Sequence, residues 1–204
     1  MLRASKLVLL TLPLLCLLFA PLASASSVSF DLTSNNLGLS GSVGTVQVSD
    51  SGANQVTVTI TMNAGFSVKL DGGNVGFNGP TGTLTASGLT ADGMTDLSFK
   101  QFKSDQNVSV FNTFSYDFRN VKGAPGGVVS ANQLTFTLTG TGLNASQFTG
   151  FVVHFCTASG SNCGPNTGFA SNGPASVVPE PGTMTLLGSG LIGLAGLARR
   201  KFRK

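Results

Sequence analysis

Gln-Val-Thr-Val-Thr-Ile-Thr-Met, residues 55–62, alternates polar and apolar side chains without interruption. Successive side chains of a strand point to opposite faces, so the valines, Ile60 and Met62 share one face and the threonines share the other. β-Branched residues favour strands, and a face of threonines remains compatible with water. The stretch therefore predicts an antiparallel strand with one face on a hydrophobic core and the other face toward solvent.

The same alternation recurs along the chain, between short turns that carry Gly, Asp and Asn. No run outside the two ends has the 3.6-residue spacing of an amphipathic helix. We therefore predict an all-β body over residues 26–163, a single antiparallel β-sandwich of the jelly-roll or immunoglobulin-like kind. The other predicted strands are 27–32, 45–48, 66–70, 97–99, 108–118, 134–138 and 148–153, and the predicted turns are 50–54, 71–74 and 91–94.

The N-terminal segment has the three parts of an export signal. Arg3 and Lys6 precede an apolar run over residues 7–22, which ends in the small residues Ala23 and Ala25. This order is typical of a cleaved signal peptide. We predict a signal peptide over residues 1–25 with cleavage after Ala25, and the alternative is a retained membrane helix.

The charge of the chain is concentrated at its ends. The formal net charge is +4, and charged residues make up only 10% of the sequence. Basic side chains crowd both termini, which leaves the predicted β body with more acidic than basic residues. Because the body has no basic stripe, nucleic acid is not an expected partner.

The C-terminus combines an uncharged segment with a basic cluster. Residues 183–198 carry no charge, and as a helix they span roughly 24 Å at about 1.5 Å per residue, short of a bilayer core of about 30 Å. A basic cluster is expected to stay cytoplasmic, which leaves the body outside. We predict a marginal transmembrane helix followed by a cytoplasmic cluster of Arg199, Arg200, Lys201, Arg203 and Lys204.

Directly before this segment stand Pro179, Glu180 and Pro181, and Glu180 is the only glutamate in the chain. The two prolines keep the backbone extended and accessible to another enzyme. With the helix and basic cluster, residues 179–204 resemble the PEP-CTERM sorting signal. The resemblance implies transient insertion in the inner membrane and processing near the motif by an exosortase, in bacteria that make exopolysaccharide. The alternative is an ordinary C-terminal anchor preceded by a chance Pro-Glu-Pro.

Residues 164–178 have the composition of a linker. They are rich in Gly, Pro, Ser and Asn and carry no charge. We predict that they separate the folded body from the sorting signal, with Phe169 as a candidate for a last short strand.

Two cysteines remain after signal cleavage. Cys156 and Cys163 follow an apolar strand, and export places them where thiols oxidise. We predict a disulfide between them, with His154, the only histidine, beside it. The alternative is a metal site of His154 and the two cysteines, which lacks a fourth ligand.

No catalytic constellation is evident, and we predict no catalytic residue, metal or cofactor. There is no Gly-x-Ser-x-Gly motif, and most of the aspartates lie in predicted turns, where Asp is common for backbone reasons. Residues 92–96 and 71–74 are alternative Ca²⁺ loops without the EF-hand spacing. The aspartates that a glycosidase pair would use are Asp31, Asp50, Asp71, Asp92, Asp96, Asp105 and Asp117.

These observations predict an exported, non-enzymatic protein of the periplasm, the outer surface or the extracellular matrix. Its expected role is structural or adhesive, within exopolysaccharide or biofilm. The alternatives are a carbohydrate-binding module, with or without Ca²⁺, and an Asp-based glycoside hydrolase.

Overall fold

The computed structural model describes residues 26–123, 130–159 and 162–173. The predicted signal peptide, sorting signal and basic cluster lie outside this part of the chain. The described residues form strands and two short 3₁₀ turns, at Ser109–Phe111 and Ala145–Gln147, and contain no α-helix. The strands are β1 (Ser27–Asp31), β2 (Ser34–Asn35), β3 (Gly44–Gly52), β4 (Gln55–Met62), β5 (Phe66–Lys69), β6 (Asn74–Asn78), β7 (Thr85–Ala91), β8 (Met94–Asn107), β9 (Thr113–Lys122), β10 (Ser130–Ala131), β11 (Gln133–Thr139), β12 (Gly150–Ser159) and β13 (Asn162–Ser171).

The strands form one curled antiparallel sheet in the order β1-β3-β4-β11-β7-β8-β9-β6-β12-β13-β2, with β5 and β10 attached through β12. The all-β class predicted from the sequence is confirmed. The two separate sheets of a sandwich are not confirmed. The strands β1, β3, β4, β11 and β7 form a first half of the sheet, the strands β9, β6, β12, β13 and β2 form a second half, and β8 belongs to both. Its first residues pair with β7, and residues 98–107 pair with β9. The sheet thereby curls into a half-barrel, and its two halves enclose the core.

The strand over residues 55–62, β4, lies at the centre of the first half, which runs β1-β3-β4-β11-β7. β4 pairs with β3 on one side and with β11 on the other. Its apolar side chains are buried, whereas its Thr face is only partly covered. The alternation therefore separates core from solvent as predicted.

The core lies between the inner faces of the two halves. Phe136 of β11 is fully buried and meets Phe118 of β9 with ring centroids 6.0 Å apart. Phe77 of β6 is also fully buried and stacks on Tyr116 at 5.1 Å. The Phe136–Phe118 contact joins the two halves across the core, whereas Phe77 and Tyr116 lie on neighbouring strands of the second half.

The predicted strand over residues 108–118 is wrong at its start. β8 ends at Asn107, the chain makes the 3₁₀ turn, and β9 begins at Thr113. Asn112 lies directly before β9 and has a φ of 69°, which is outside the extended region of a regular strand. The 107–113 connection is therefore a bend of the chain, and it borders the site described below.

The predicted linker over residues 164–178 begins inside β13, so its first part is corrected. β13 forms a hairpin with β12, and the backbone hydrogen bonds of this pairing do not depend on apolar side chains in β13. Gly168 is required there because a Cβ would collide with Asn36 and Leu37. Phe169 lies in this strand, so the folded body extends to Ser171.

Candidate functional site

A pocket of about 350 Å³ lies on the outer face of the second half, the face turned away from the core. This volume falls at the lower end of the range of ~300–1,000 Å³ for small-molecule sites. We call it the outer-face pocket. Its lining is mostly polar and consists of Gly72, Asn74, Gln101, Asn107, Val108, Arg119, Asn120, His154 and Phe169.

Five of the lining residues form one row across five strands. Gln101 of β8 pairs with Arg119 of β9, which pairs with Asn74 of β6. His154 of β12 pairs with Phe169 of β13. The β6–β12 register ends at Val75 opposite Val153, so Asn74 and His154 come next in antiparallel order. Directly opposed residues share a face, so the register alone aligns these side chains.

A buried carboxylate, Asp117, binds the two central residues of this row, Asn74 and Arg119. Asp117 is fully buried. Its Oδ1 accepts a hydrogen bond from Asn74 Nδ2 at 3.0 Å, and its Oδ2 accepts one from Arg119 Nε at 2.5 Å. Buried charges need such partners, since an unpaired one would cost several kcal/mol. Asp117 therefore orients the Asn74 amide and the Arg119 guanidinium, whose side chain is 29% exposed.

His154 and Phe169 form the other end of the row. Their rings stack with centroids 4.3 Å apart. Burial lowers the pKa of His154 to about 4; nearby Lys69 acts in the same direction, and the Gly72 backbone opposes the shift. Its Nδ1 is enclosed and has no hydrogen-bond partner in the described part of the chain. The imidazole is therefore neutral at pH 7 and contributes a flat, uncharged surface.

The 107–113 connection packs over the same face. Val108 and Phe111 are buried with Phe114 and Val152 in a small cluster separate from the main core. Gly76 makes this packing possible, because a Cβ there would lie 2.8 Å from Val152 Cγ1 and 3.2 Å from the Phe114 ring. The pocket lies between this connection and the row of side chains.

The structure contains the predicted disulfide. Cys156 and Cys163 are bonded, with their Cα atoms 5.4 Å apart. The bond joins β12 to β13, the two strands that carry His154 and Phe169. The cysteines are therefore not free thiolates for the alternative metal site.

Four of the aspartates weighed for catalysis make structural hydrogen bonds. Asp92 accepts from the backbone N–H groups of Asn132 and Gln133. Asp50 accepts from Ser26 and Ala145, Asp31 accepts from Thr45, and Asp117 is engaged as described above. Across residues 26–123, 130–159 and 162–173, no group of three or more His, Cys, Asp or Glu side chains could hold a metal ion.

The arrangement is suited to binding through hydrogen bonds. Four side-chain amides line the pocket, at Asn74, Gln101, Asn107 and Asn120, and each offers both a donor and an acceptor. The one carboxylate of the site is already paired, and the one histidine is neutral. Sequence reasoning singled out His154 and Asp117 without joining them, and it considered Asn74 only within an alternative Ca²⁺ loop over residues 71–74. It missed Gln101, Asn120 and Arg119. An aspartate among Tyr and Phe in a strand was the one available signal.

The predicted terminal sites are not described. The cleavage residues Ala23 and Ala25, the motif at 179–181 and the basic cluster lie outside the described residues. The described residues contain no helix with the length and hydrophobicity of a membrane span.

Comparison with known families bears on the C-terminal segment. Residues 177–203 match the family model of the PEP-CTERM protein-sorting motif. We found no match among curated proteins or among solved structures. The chain therefore carries a PEP-CTERM motif, which implies secretion and a membrane-anchored sorting signal. Proteins with such motifs are exosortase substrates, and the match is consistent with exosortase processing.

Proposed function

We propose that this protein is a non-enzymatic component of the cell surface or extracellular matrix, released into place by exosortase processing. The observation that carries the proposal is the PEP-CTERM motif over residues 177–203. The signal peptide predicted at 1–25 would bring the chain across the inner membrane, where it is held only transiently. The β body would then act in the periplasm, at the outer surface or in the matrix.

Each part of the motif has a physical task in this proposal. The prolines at 179 and 181 keep the backbone around Glu180 extended, as a protease substrate requires. The uncharged run over 183–198 holds the chain in the membrane. The basic cluster over 199–204 resists translocation and so fixes the orientation. Cleavage near Glu180 removes the anchor and frees the body.

The construction of the body supports a structural or adhesive role within exopolysaccharide or biofilm. The curled antiparallel sheet encloses a large hydrophobic core, and a disulfide closes its last hairpin. Stability outside the cell benefits from such a bond, since it restricts the unfolded chain. A jelly-roll or immunoglobulin-like classification stays a prediction, as does the absence of catalytic activity.

Mass spectrometry of the protein from cells tests the processing. We expect the mature form to begin after Ala25 and to lack residues 199–204. Replacing both Pro179 and Pro181 with Ala should trap the precursor in the membrane fraction. Pro174→Ala is the matched control and should be processed normally. A mature protein that still carries Lys204 would contradict the proposal.

Carbohydrate binding is the second candidate function, and the outer-face pocket favours it. Screening the purified protein on a glycan array, with and without a chelator, separates a binding module from a passive scaffold and tests any need for Ca²⁺. An Asp-based hydrolase is the third candidate. It would turn over polysaccharide and would lose that activity on single Asp→Asn changes.

A further inference from the structure

We propose that the outer-face pocket binds one neutral, hydroxyl-rich sugar residue, held between the Gln101–Arg119–Asn74 row and the 107–113 connection. The inference rests on the proposed extracellular function only for the source of the sugar, which is the end or a branch of a surface polysaccharide. The binding chemistry follows from the pocket itself.

The first argument is the matched hydrogen-bonding capacity. A sugar hydroxyl both donates and accepts, as does a side-chain amide. Asn74 uses its Nδ2 on Asp117, which leaves its Oδ1 as an acceptor. Gln101 is exposed and in register with Arg119. Alternating donors and acceptors along the row would bind neighbouring hydroxyls of one ring.

The second argument is electrostatic. The Arg119 Nε contacts Asp117, so the guanidinium is already neutralised while its two Nη groups remain as donors. The pocket lining includes no carboxylate. A cation would therefore find no counter-charge in the lining. An anion would find only one cationic side chain in the lining, Arg119, whose charge Asp117 balances, because Lys69 acts on His154 from outside the lining. Neutral hydroxyl groups meet neither difficulty.

The third argument is the flat end of the pocket. The neutral His154 ring stacks on Phe169. Sugars present C–H groups on the faces of the ring, and flat apolar surfaces accept them while the amides bind the edge. Specific sites combine apolar lining with a few placed polar groups in this way.

The fourth argument is preorganisation. Asp117 fixes two of the binding groups, and the disulfide links the strands that carry His154 and Phe169. Val108 and Phe111 are buried, so the 107–113 connection is packed in place without a ligand. Less ordering is then needed on binding, which favours affinity.

The experiment first screens the secreted protein on a glycan array that carries neutral hexose and deoxyhexose oligosaccharides and, for comparison, acidic uronate oligosaccharides. Calorimetric titration with the neutral glycan that binds most strongly then measures the affinity. Gln101→Ala should weaken binding about 3- to 10-fold, the loss of one or two hydrogen bonds. Gln101→Trp should fill the pocket and abolish binding. Lys103→Ala and Lys103→Trp are matched controls, because Lys103 is exposed on the same face of β8 but does not line the pocket.

Arg119→Lys provides a second test, since it keeps the charge beside Asp117 but removes the Nη donors. We expect binding to weaken about 10-fold or more. Thermal unfolding of each variant shows whether it remains folded.

Binding of the neutral glycan that Gln101→Trp abolishes and Lys103→Trp preserves supports the proposal. Three results overturn it: no neutral glycan binds, Gln101→Trp binds as tightly as the parent protein, or only acidic glycans bind in a salt-sensitive manner. Processing in cells is measured separately, so a correctly processed protein without glycan binding refutes this inference alone. A protein that binds glycan but keeps its C-terminal cluster refutes only the proposed sorting.

Discussion

Asp92 and Gln133 exchange two hydrogen bonds across the sheet. The Asp92 backbone N–H donates to the Gln133 carbonyl at 3.0 Å, and the Gln133 N–H donates to Asp92 Oδ1 at 2.7 Å. The second carboxylate oxygen, Oδ2, accepts from the Asn132 N–H at 2.8 Å. The β7–β8 turn is thereby tied to the start of β11.

We expect Asp92→Asn to lower the free energy of unfolding by about 1–2 kcal/mol, because an amide can accept only one of the two bonds. Asn tolerates the positive φ of this position, so backbone strain does not confuse the result. Chemical denaturation measures the change. Asp105→Asn is the matched control, exposed and also at positive φ, and should have little effect. Equal losses in both variants would contradict the assignment.

The same geometry predicts how the protein responds to chelators. Residues 92–96 were one of the two alternative Ca²⁺ loops that the sequence left open, yet both Asp92 carboxylate oxygens are engaged by backbone N–H groups. We expect the same melting temperature with EDTA and with millimolar Ca²⁺. An increase in melting temperature on adding Ca²⁺ would restore the Ca²⁺-assisted alternative.

His154 makes stability depend on pH in a defined window. Its pKa is lowered from 6.5 to about 4 in the folded protein. Between these values the unfolded chain binds a proton that the folded chain does not, so the free energy of unfolding falls as pH falls from about 6.5 toward about 4. Above pH 6.5 this contribution is constant. Burial is the main cause of the lowered His154 pKa; nearby Lys69 lowers the pKa further, and the Gly72 backbone opposes the shift.

Urea unfolding at several pH values between 7 and 4 tests this prediction. His154→Phe keeps a ring against Phe169 and removes the titrating group. The free energy of unfolding of the parent protein should therefore fall relative to that of the variant as the pH decreases from 7 to 4. Acidic groups titrate equally in both proteins and cancel. A difference that is independent of pH would show that His154 is not held neutral.

Gly76 is expected to tolerate no side chain. Gly76→Ala would place a Cβ 2.8 Å from Val152 Cγ1 and against the Phe114 ring. Overpacking of this kind costs about 1–3 kcal/mol. Gly150→Ala is the control, since its Cβ would meet only Asn172 Oδ1 at 3.6 Å. The prediction fails if denaturant midpoints of the two variants shift equally.

The Cys156–Cys163 bond closes a short loop, with a sequence separation of 7. In the chain-entropy model its loss lowers the free energy of unfolding by about 2–3 kcal/mol. Unfolding with and without a reductant measures this value. A variant with both cysteines changed to Ala should have the reduced stability and should no longer respond to reductant. An unchanged midpoint on reduction would contradict the prediction.

The strands that were predicted well from the sequence are those with one solvent-exposed face. β4 and β11 alternate because solvent covers only one of their sides. β6 was not predicted, because residues 74–77 are buried on both faces and show no alternation. β13 resembled a linker in composition because its position depends on backbone hydrogen bonds and a disulfide more than on apolar side chains.

The outer-face pocket was beyond sequence reasoning for a related reason. The five residues of its row lie on β6, β8, β9, β12 and β13, and only the strand order and register bring them together. The 107–113 connection resembled part of a long strand, although it bends at Asn112. Pairing of Cys156 with Cys163 was predictable because it depends on two nearby residues and an oxidising compartment.

The disulfide also has a mechanical consequence. β13 is the last described strand before the sorting segment, so tension on a tethered C-terminus would peel it from β12 beginning at the Ser171–Val152 pair. The Phe169–His154 pair would separate early, and the covalent bond at Cys163 would stop the peeling before the hairpin opened fully. Pulling on the tether would thus disturb the outer-face pocket well before it unravelled the rest of the body.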